Sequence, residues 1–208
     1  MKYLLLISLL LVLGTSEATE KEPELSNGYQ KPAFCQKADC PKYEVEKQYD
    51  NFELRAYEAI RWVRTPLESD FFGLEMVKSF RRLFKYITGS NVEEMKIDMT
   101  VPVVIYVPLN QPPAGNSTMS FFVPHEVENA PQPTDPKVYL DNSPALNVYV
   151  RSFGGYALDP TFFKEAQFLA EQLRALGLEF EDSFYLRSGY NDPFTLLNRH
   201  NEVWVIAK

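Results

Sequence analysis

Four cations fall within eight residues in Lys78-Ser-Phe-Arg-Arg-Leu-Phe-Lys85, interleaved with Phe80 and Phe84. On a helix this spacing sets ammonium and guanidinium groups beside an apolar face. A flat amphipathic anion needs that combination, rings on the apolar side and carboxylates on the cations. Only Glu75 stands at a helical i+3 spacing to pair with Lys78. The same pattern also describes an ordinary amphipathic helix with phenylalanines in the core and cations in solvent. The spacing leaves both readings open.

Other reactive side chains are sparse. Cys35 and Cys40 are the two cysteines, with no histidine or third cysteine nearby to complete a tetrahedral metal site. In an oxidising compartment they read as a disulfide closing a small loop. His125 and His200, the two histidines, read as exposed loop residues. No G-x-S-x-G, H-E-x-x-H, P-loop or dinucleotide fingerprint occurs. A nucleophile–base pair is hard to assemble from two loop histidines and a bonded cysteine pair. Glu179-Phe-Glu-Asp182 reads as a solvated charge run. Neither an enzyme nor a metal site is expected.

The elements that position the basic strip repeat. A strand-like run at Tyr57–Arg64 leads to an amphipathic segment at Phe71-Phe72, then to Met99-Thr-Val-Pro102 and a second strand. Leu146–Arg151, Phe162-Phe163, Tyr190-Asn-Asp-Pro193 and Asn201–Ile206 echo that order, with Phe71 to Phe162 and Pro102 to Pro193 both 91 apart. Helical spacing predicts a first helix over 71–88 with Leu74, Val77, Phe80, Phe84 and Ile87 on its apolar face, ended by Gly89. A second helix is predicted with Phe162, Ala166, Leu169, Leu173 and Leu176 inward, ended by Gly177. Alternation around Tyr49-Asp50-Asn51 predicts a hairpin. Met99–Val107, with Pro102 implying an edge or bulge, Met119–Val123, Phe184–Ser188 and Val203–Ala207 are the remaining strands. The fold class is α+β, a curved antiparallel sheet of duplicated halves carrying two helices.

Bulk properties narrow the setting. A charged start, an apolar run from Leu4 to Leu13 and small residues at Ser16 and Ala18 predict a secretory signal peptide over residues 1–18. The run falls short of the roughly 17–25 residues that span a bilayer, so no stable membrane insertion is expected. The remaining 190 of 208 residues are read as a polar, extended arm to residue 42 and one domain over 43–208. A net charge of −7 excludes nucleic-acid binding through bulk electrostatics. Asn116-Ser-Thr118 is a glycosylation sequon in a Pro/Gly-rich loop. A secreted, extracellular monomer is expected.

Four motifs carry a resemblance. Glu94-Met-Lys-Ile-Asp-Met-Thr-Val-Pro102, Arg151-Ser-Phe-Gly-Gly-Tyr156, Ser188-Gly-Tyr-Asn-Asp-Pro193 and Leu197-Asn-Arg-His-Asn-Glu-Val-Trp204 resemble the SOUL/haem-binding-protein family, over about residues 43–208. The resemblance implies a distorted antiparallel β-barrel with one helix packed on each face, and a haem or tetrapyrrole ligand. It places the ligand at Val77, Phe80, Phe84, Lys85 and Tyr190, with Lys85 and Tyr190 keeping the family's residue type. Val77 stands where the family has a basic residue, and Arg81 or Lys78 is the substitute on hand. A histidine proposed as axial ligand in one branch aligns with Ala56, so that ligand is missing. Tyr190 is the remaining candidate for iron, and no strong axial bond is expected.

The expected function is a secreted, non-enzymatic carrier of haem or a related porphyrin. The rival is a protein-interaction module in which the same cleft, or the Leu169–Leu176 face, docks a partner.

Overall fold

The computed structural model describes residues 29–67, 74–109, 117–192 and 194–208. The segment predicted as a signal peptide, Phe71-Phe72, Asn116 and Pro193 lie outside the described residues. A short 3-10 turn at Ala33–Cys35 precedes the hairpin of β1 (Tyr43–Gln48) and β2 (Glu53–Tyr57). Then follow β3 (Ile60–Leu67), α1 (Leu74–Ile87), β4 (Val103–Pro108), β5 (Ser117–Phe122), β6 (Tyr139–Ser143), β7 (Leu146–Gly154), α2 (Asp159–Ala175), β8 (Phe184–Gly189) and β9 (His200–Ile206). The strands form one sheet, in the order β1-β2-β7-β9-β8-β4-β5-β3-β6. Its pairings are antiparallel throughout.

That order displays the duplication. It is symmetric about the β8–β4 boundary, so β3-α1-β4-β5 corresponds to β7-α2-β8-β9. The repeating unit is larger than strand–helix–strand because each half also lends a strand to the other. β2 pairs with β7, and β6 pairs with β3. One part of the sequence echo does not correspond. Met99–Pro102 leads into β4, whereas Tyr190–Asp192 lies between β8 and β9. Pro102 sits just ahead of β4, a central strand, where its missing N–H removes no ladder bond.

Strand alternation sorts the core into two faces. On one side Val63, Ile105, Met119 and Phe121 receive α1 through Leu83, Tyr86 and Ile87. On the same side of the other half, Tyr149, Val203 and Val205 receive α2 through Phe162, Ala166, Leu169 and Leu173. One helix thus covers the outer face of each half. The inward face gathers Tyr57, Ile60, Trp62, Val104, Phe122, Val148, Val150 and Trp204. Residues from β2 through β9 line one cleft there. That convergence requires the sheet to curl into a half-barrel.

The apolar face of α1 differs from the expected one. Leu74, Val77 and Phe84 are 54%, 48% and 44% exposed, while Ser79, Leu83, Tyr86 and Ile87 are buried. Polar anchors favour this rotation. Arg82 donates to Thr65 Oγ1 at 2.9 Å and to the Pro66 carbonyl at 2.7 Å, and Ser79 Oγ donates to the same carbonyl at 3.0 Å. Tyr86 can be buried because its hydroxyl donates to the Pro131 carbonyl at 2.9 Å. On α2 the expected face holds except for Leu176, which lies past the helix end, followed by Gly177 at φ 66°.

Truncating the two faces of α1 tests this orientation. Leu83→Ala, at a fully buried position, is expected to cost about 2–5 kcal/mol in urea unfolding. Val77→Ala is expected to stay within about 0.5 kcal/mol of the parent. Equal losses would mean that the helix is rotated.

Candidate functional site

The rotation of α1 leaves an amphipathic strip facing outward. Val77, Arg81, Phe84 and Lys85 lie on successive turns and are all exposed. Phe80 sits half-buried behind them. Its ring stacks 5.9 Å from that of Phe84 at 15° and meets Phe121 edge-on at 5.2 Å, so the strip is backed by the core.

The four cations have different roles. Lys78 pairs with Glu75 at 2.6 Å. Arg82 is committed to β3, as its bonds to Thr65 and Pro66 show. Arg81 and Lys85 have no ion-pair partner among the described residues. Lys85 lies in the last turn, where the helix dipole favours a cation. Chemically, this is a surface with two cations, unpaired among the described residues, beside two exposed apolar side chains. Leu169 and Leu173 of α2, by contrast, are fully buried against the sheet.

Tyr190 is not part of the α1 strip. It is buried in a separate cluster with Cys35 and Cys40, against Phe34 and Val101. Its hydroxyl donates to Glu202 Oε2 at 2.8 Å. Glu202 is itself completely buried. Its carboxylate accepts from Arg55 Nη1 at 3.0 Å, Ser152 Oγ at 3.3 Å and Trp204 Nε1 at 2.7 Å, and His200 Nε2 lies at 2.8 Å. Burial alone would raise the Glu202 pKa, but the Arg55 charge and the surrounding donors outweigh it and hold the group at about 2. Burial, reinforced by the Glu202 charge, pushes the Tyr190 hydroxyl well above its usual value. Tyrosine ligates iron as a phenolate, whereas this site favours the neutral phenol.

The N-terminal arm closes over this network. Phe34 stacks on His200 with ring centres 3.9 Å apart at 4°, and meets Tyr190 edge-on at 4.9 Å. The expected Cys35–Cys40 disulfide is present, and both sulfur-bearing residues are buried. Asp39 accepts a bond from the Val101 amide at 2.9 Å, which ties the loop to the segment before β4.

His200 is therefore no exposed loop residue. It opens β9, half-buried between Phe34 and Glu202. His125 is also half-buried, beside Phe122 at 5.0 Å, and desolvation followed by the Lys42 charge lowers its pKa. Among the described residues no cluster of three metal-ligating side chains occurs.

The Glu202–Arg55 pair escaped the sequence reading. The available signal was a carboxylate two residues before Trp204, on the same strand face, at the head of the apolar run Val203–Ala207. A charge at an inward-facing position requires a partner.

The network has a pH signature. Glu202 has a depressed folded pKa, so its contribution is fully present above the unfolded value of about 4.3 and lost as pH falls through about 2. The stability of the parent is expected to fall progressively below about pH 4.5. Glu202→Gln is expected to lose about 1–3 kcal/mol at pH 7, because the buried donors then face a neutral amide while Glu53 still pairs with Arg55 at 2.7 Å. A variant as stable as the parent at pH 7 would show that the network is not a stabilising hub.

Comparison with known proteins adds relatives over almost the whole domain. Residues 38–206 match the family model described as SOUL heme-binding protein. Human heme-binding protein 2 is 37% identical over 164 residues, covering 77% of this chain and 80% of the relative. The mouse protein of that name is 33% identical over 198 residues, covering 92% and 96%. Heme-binding protein 1 of Xenopus laevis is 29% identical over 170 residues, covering 77% and 86%. Among solved structures, the EcmrR C-terminal domain superposes with a TM-score of 0.56 at 10% identity, covering 80% of this chain and 98% of that one. At that identity the likeness concerns the fold alone.

Proposed function

The chain belongs to the SOUL heme-binding protein family, and on that premise we propose that it is a non-enzymatic carrier of haem or a related tetrapyrrole, held on the outward strip of α1. The observation that carries this reading is the pairing of Arg81 and Lys85, cations without ion-pair partners among the described residues, with the exposed Val77 and Phe84. A porphyrin offers matching chemistry, two carboxylates on the edge of a flat apolar disc. Charge-assisted bonds from Arg81 and Lys85 would hold the carboxylates. Val77 and Phe84, backed by Phe80, would hold the disc. Such a surface encloses little of its ligand, so the affinity rests on charge and partial burial.

Iron ligation is weak in this reading. Tyr190 is engaged with Glu202, Ala56 offers no donor, and the cysteines are joined. We further propose a secreted protein with residues 1–18 as signal peptide and Asn116 as glycan acceptor. Support comes from the charged-then-apolar start of the chain and from a buried disulfide, which persists in oxidising compartments. Among the described residues no helix is long and apolar enough to cross a membrane.

A haemin titration followed in the Soret band is the test. Saturable binding is expected, with Arg81→Glu/Lys85→Glu weakening it at least tenfold, about 1.4 kcal/mol or more. Tyr190→Phe is expected to leave the band position unchanged, since the phenol is not a ligand. Nonsaturable uptake equal to that of an unrelated acidic protein, or a charge-reversed variant that binds like the parent, would overturn the proposal.

A further inference from the structure

The inward face of the half-barrel holds a second cavity that the α1 strip does not use. It is a cleft of about 250 Å³ whose wall includes both tryptophans of the chain, Trp62 and Trp204. Tyr57 lies beside them, its ring centre 4.9 Å from that of Trp204. Leu186 and Ile206 also line the cleft and are only partly buried, so it is not a sealed core void.

The polar groups converge at one place. Trp62 Nε1 donates to Ser143 Oγ at 3.1 Å, and Arg64 Nη2 donates to the same oxygen at 3.4 Å. The Arg64 guanidinium sits 5.8 Å from the Trp62 ring centre. Its Nε lies 3.0 Å from the carboxylate of Asp141, which is 45% exposed and does not line the cleft. Among the described residues, Arg64 is the charged side chain of the lining, and no carboxylate faces it from the cavity wall.

Size and charge together define the occupant. Pockets for drug-sized ligands run to about 300–1,000 Å³, and this cleft falls below that range, too small to enclose a tetrapyrrole. It suits one or two fused rings. An aromatic wall favours flat π-systems, and a cationic rim inside a chain of net charge −7 favours an anion. We propose that the inward cleft binds a flat aromatic carboxylate of one or two rings. The rings lie against the Trp62, Tyr57 and Trp204 wall, and the carboxylate is held by Arg64 and Ser143. This site lies on the opposite face of β3 from α1 and is independent of the haem reading.

Both tryptophans of the chain line the cleft, so their indole N–H NMR signals report its occupancy. Titration with 2-naphthoate is expected to shift the Trp62 indole signal saturably. 2-Naphthamide, its neutral isostere, is expected to bind at least tenfold more weakly, which tests the charge requirement without altering the protein. Arg64→Met should weaken 2-naphthoate at least tenfold, and Leu186→Trp should abolish the shift by filling the cleft. Arg81→Glu/Lys85→Glu should leave it unchanged. An absent or nonsaturable shift, equal binding of acid and amide, or loss of binding in the α1 variant would each overturn the assignment.

Discussion

A carboxylate removed from water organises this molecule. Glu202 is fully buried, and an ion in that position costs several kcal/mol unless its lone pairs are met. Its partners come from separate places in the chain. Arg55 is on β2, Ser152 on β7, Tyr190 just past β8, and His200 and Trp204 on β9 itself. Hydrophobic contact is non-directional and would tolerate small slips among these strands. A register slip of one residue would turn Glu202 to the opposite face of the sheet and separate it from Arg55. The network therefore pins β2, β7, β8 and β9 together, including the strand that the first half lends to the second. The arm depends on it too, because Phe34 docks on the His200 ring that Glu202 holds in place.

With that half pinned, the duplicated halves were free to diverge. α2 commits Leu169 and Leu173 fully to the sheet. α1 is anchored differently, through Arg82 and Ser79 on the Thr65–Pro66 segment. That anchoring commits Leu83, Tyr86 and Ile87 to the core. Val77 and Phe84 are left outside, next to cations of their own helix. The asymmetry between the helices is thus a packing outcome, and it leaves on α1 the surface proposed for the ligand.

Much of this was legible in the residues. The hairpin, both helices, the disulfide and the twofold repeat follow from alternation, helical spacing and cysteine separation. The exchange of β2 and β6 was not legible, since local patterning carries no information about which half a strand pairs with. The α1 face was misassigned because hydrophobicity alone sends Phe84 inward ahead of Tyr86. A tyrosine becomes a core residue only where its hydroxyl finds an acceptor, here the Pro131 carbonyl. His200 and Tyr190 were misplaced for a related reason. Their burial depends on Phe34, 156 residues before Tyr190 and 166 before His200, and on Glu202 in the other direction, and only the fold brings these together.

Strand β3 is where the two candidate sites meet without mixing. Its alternation turns Val63 and Thr65 toward α1, and Trp62 and Arg64 toward the inward cleft. Thr65 accepts from Arg82 and so helps to fix the helix that carries Arg81 and Lys85. Arg64, its neighbour, supplies the cation of the cleft. Adjacent residues therefore serve opposite faces of a single sheet, one through a hydroxyl that orients a helix and the other through a charge. A ligand on either face leaves the other's cation in place, so occupancy of one site does not by itself remove the other. Coupling between them would require β3 to shift, and β3 is held on both sides, by β5 and by β6. Independence of the two sites is thus the consequence of a strand locked within its sheet.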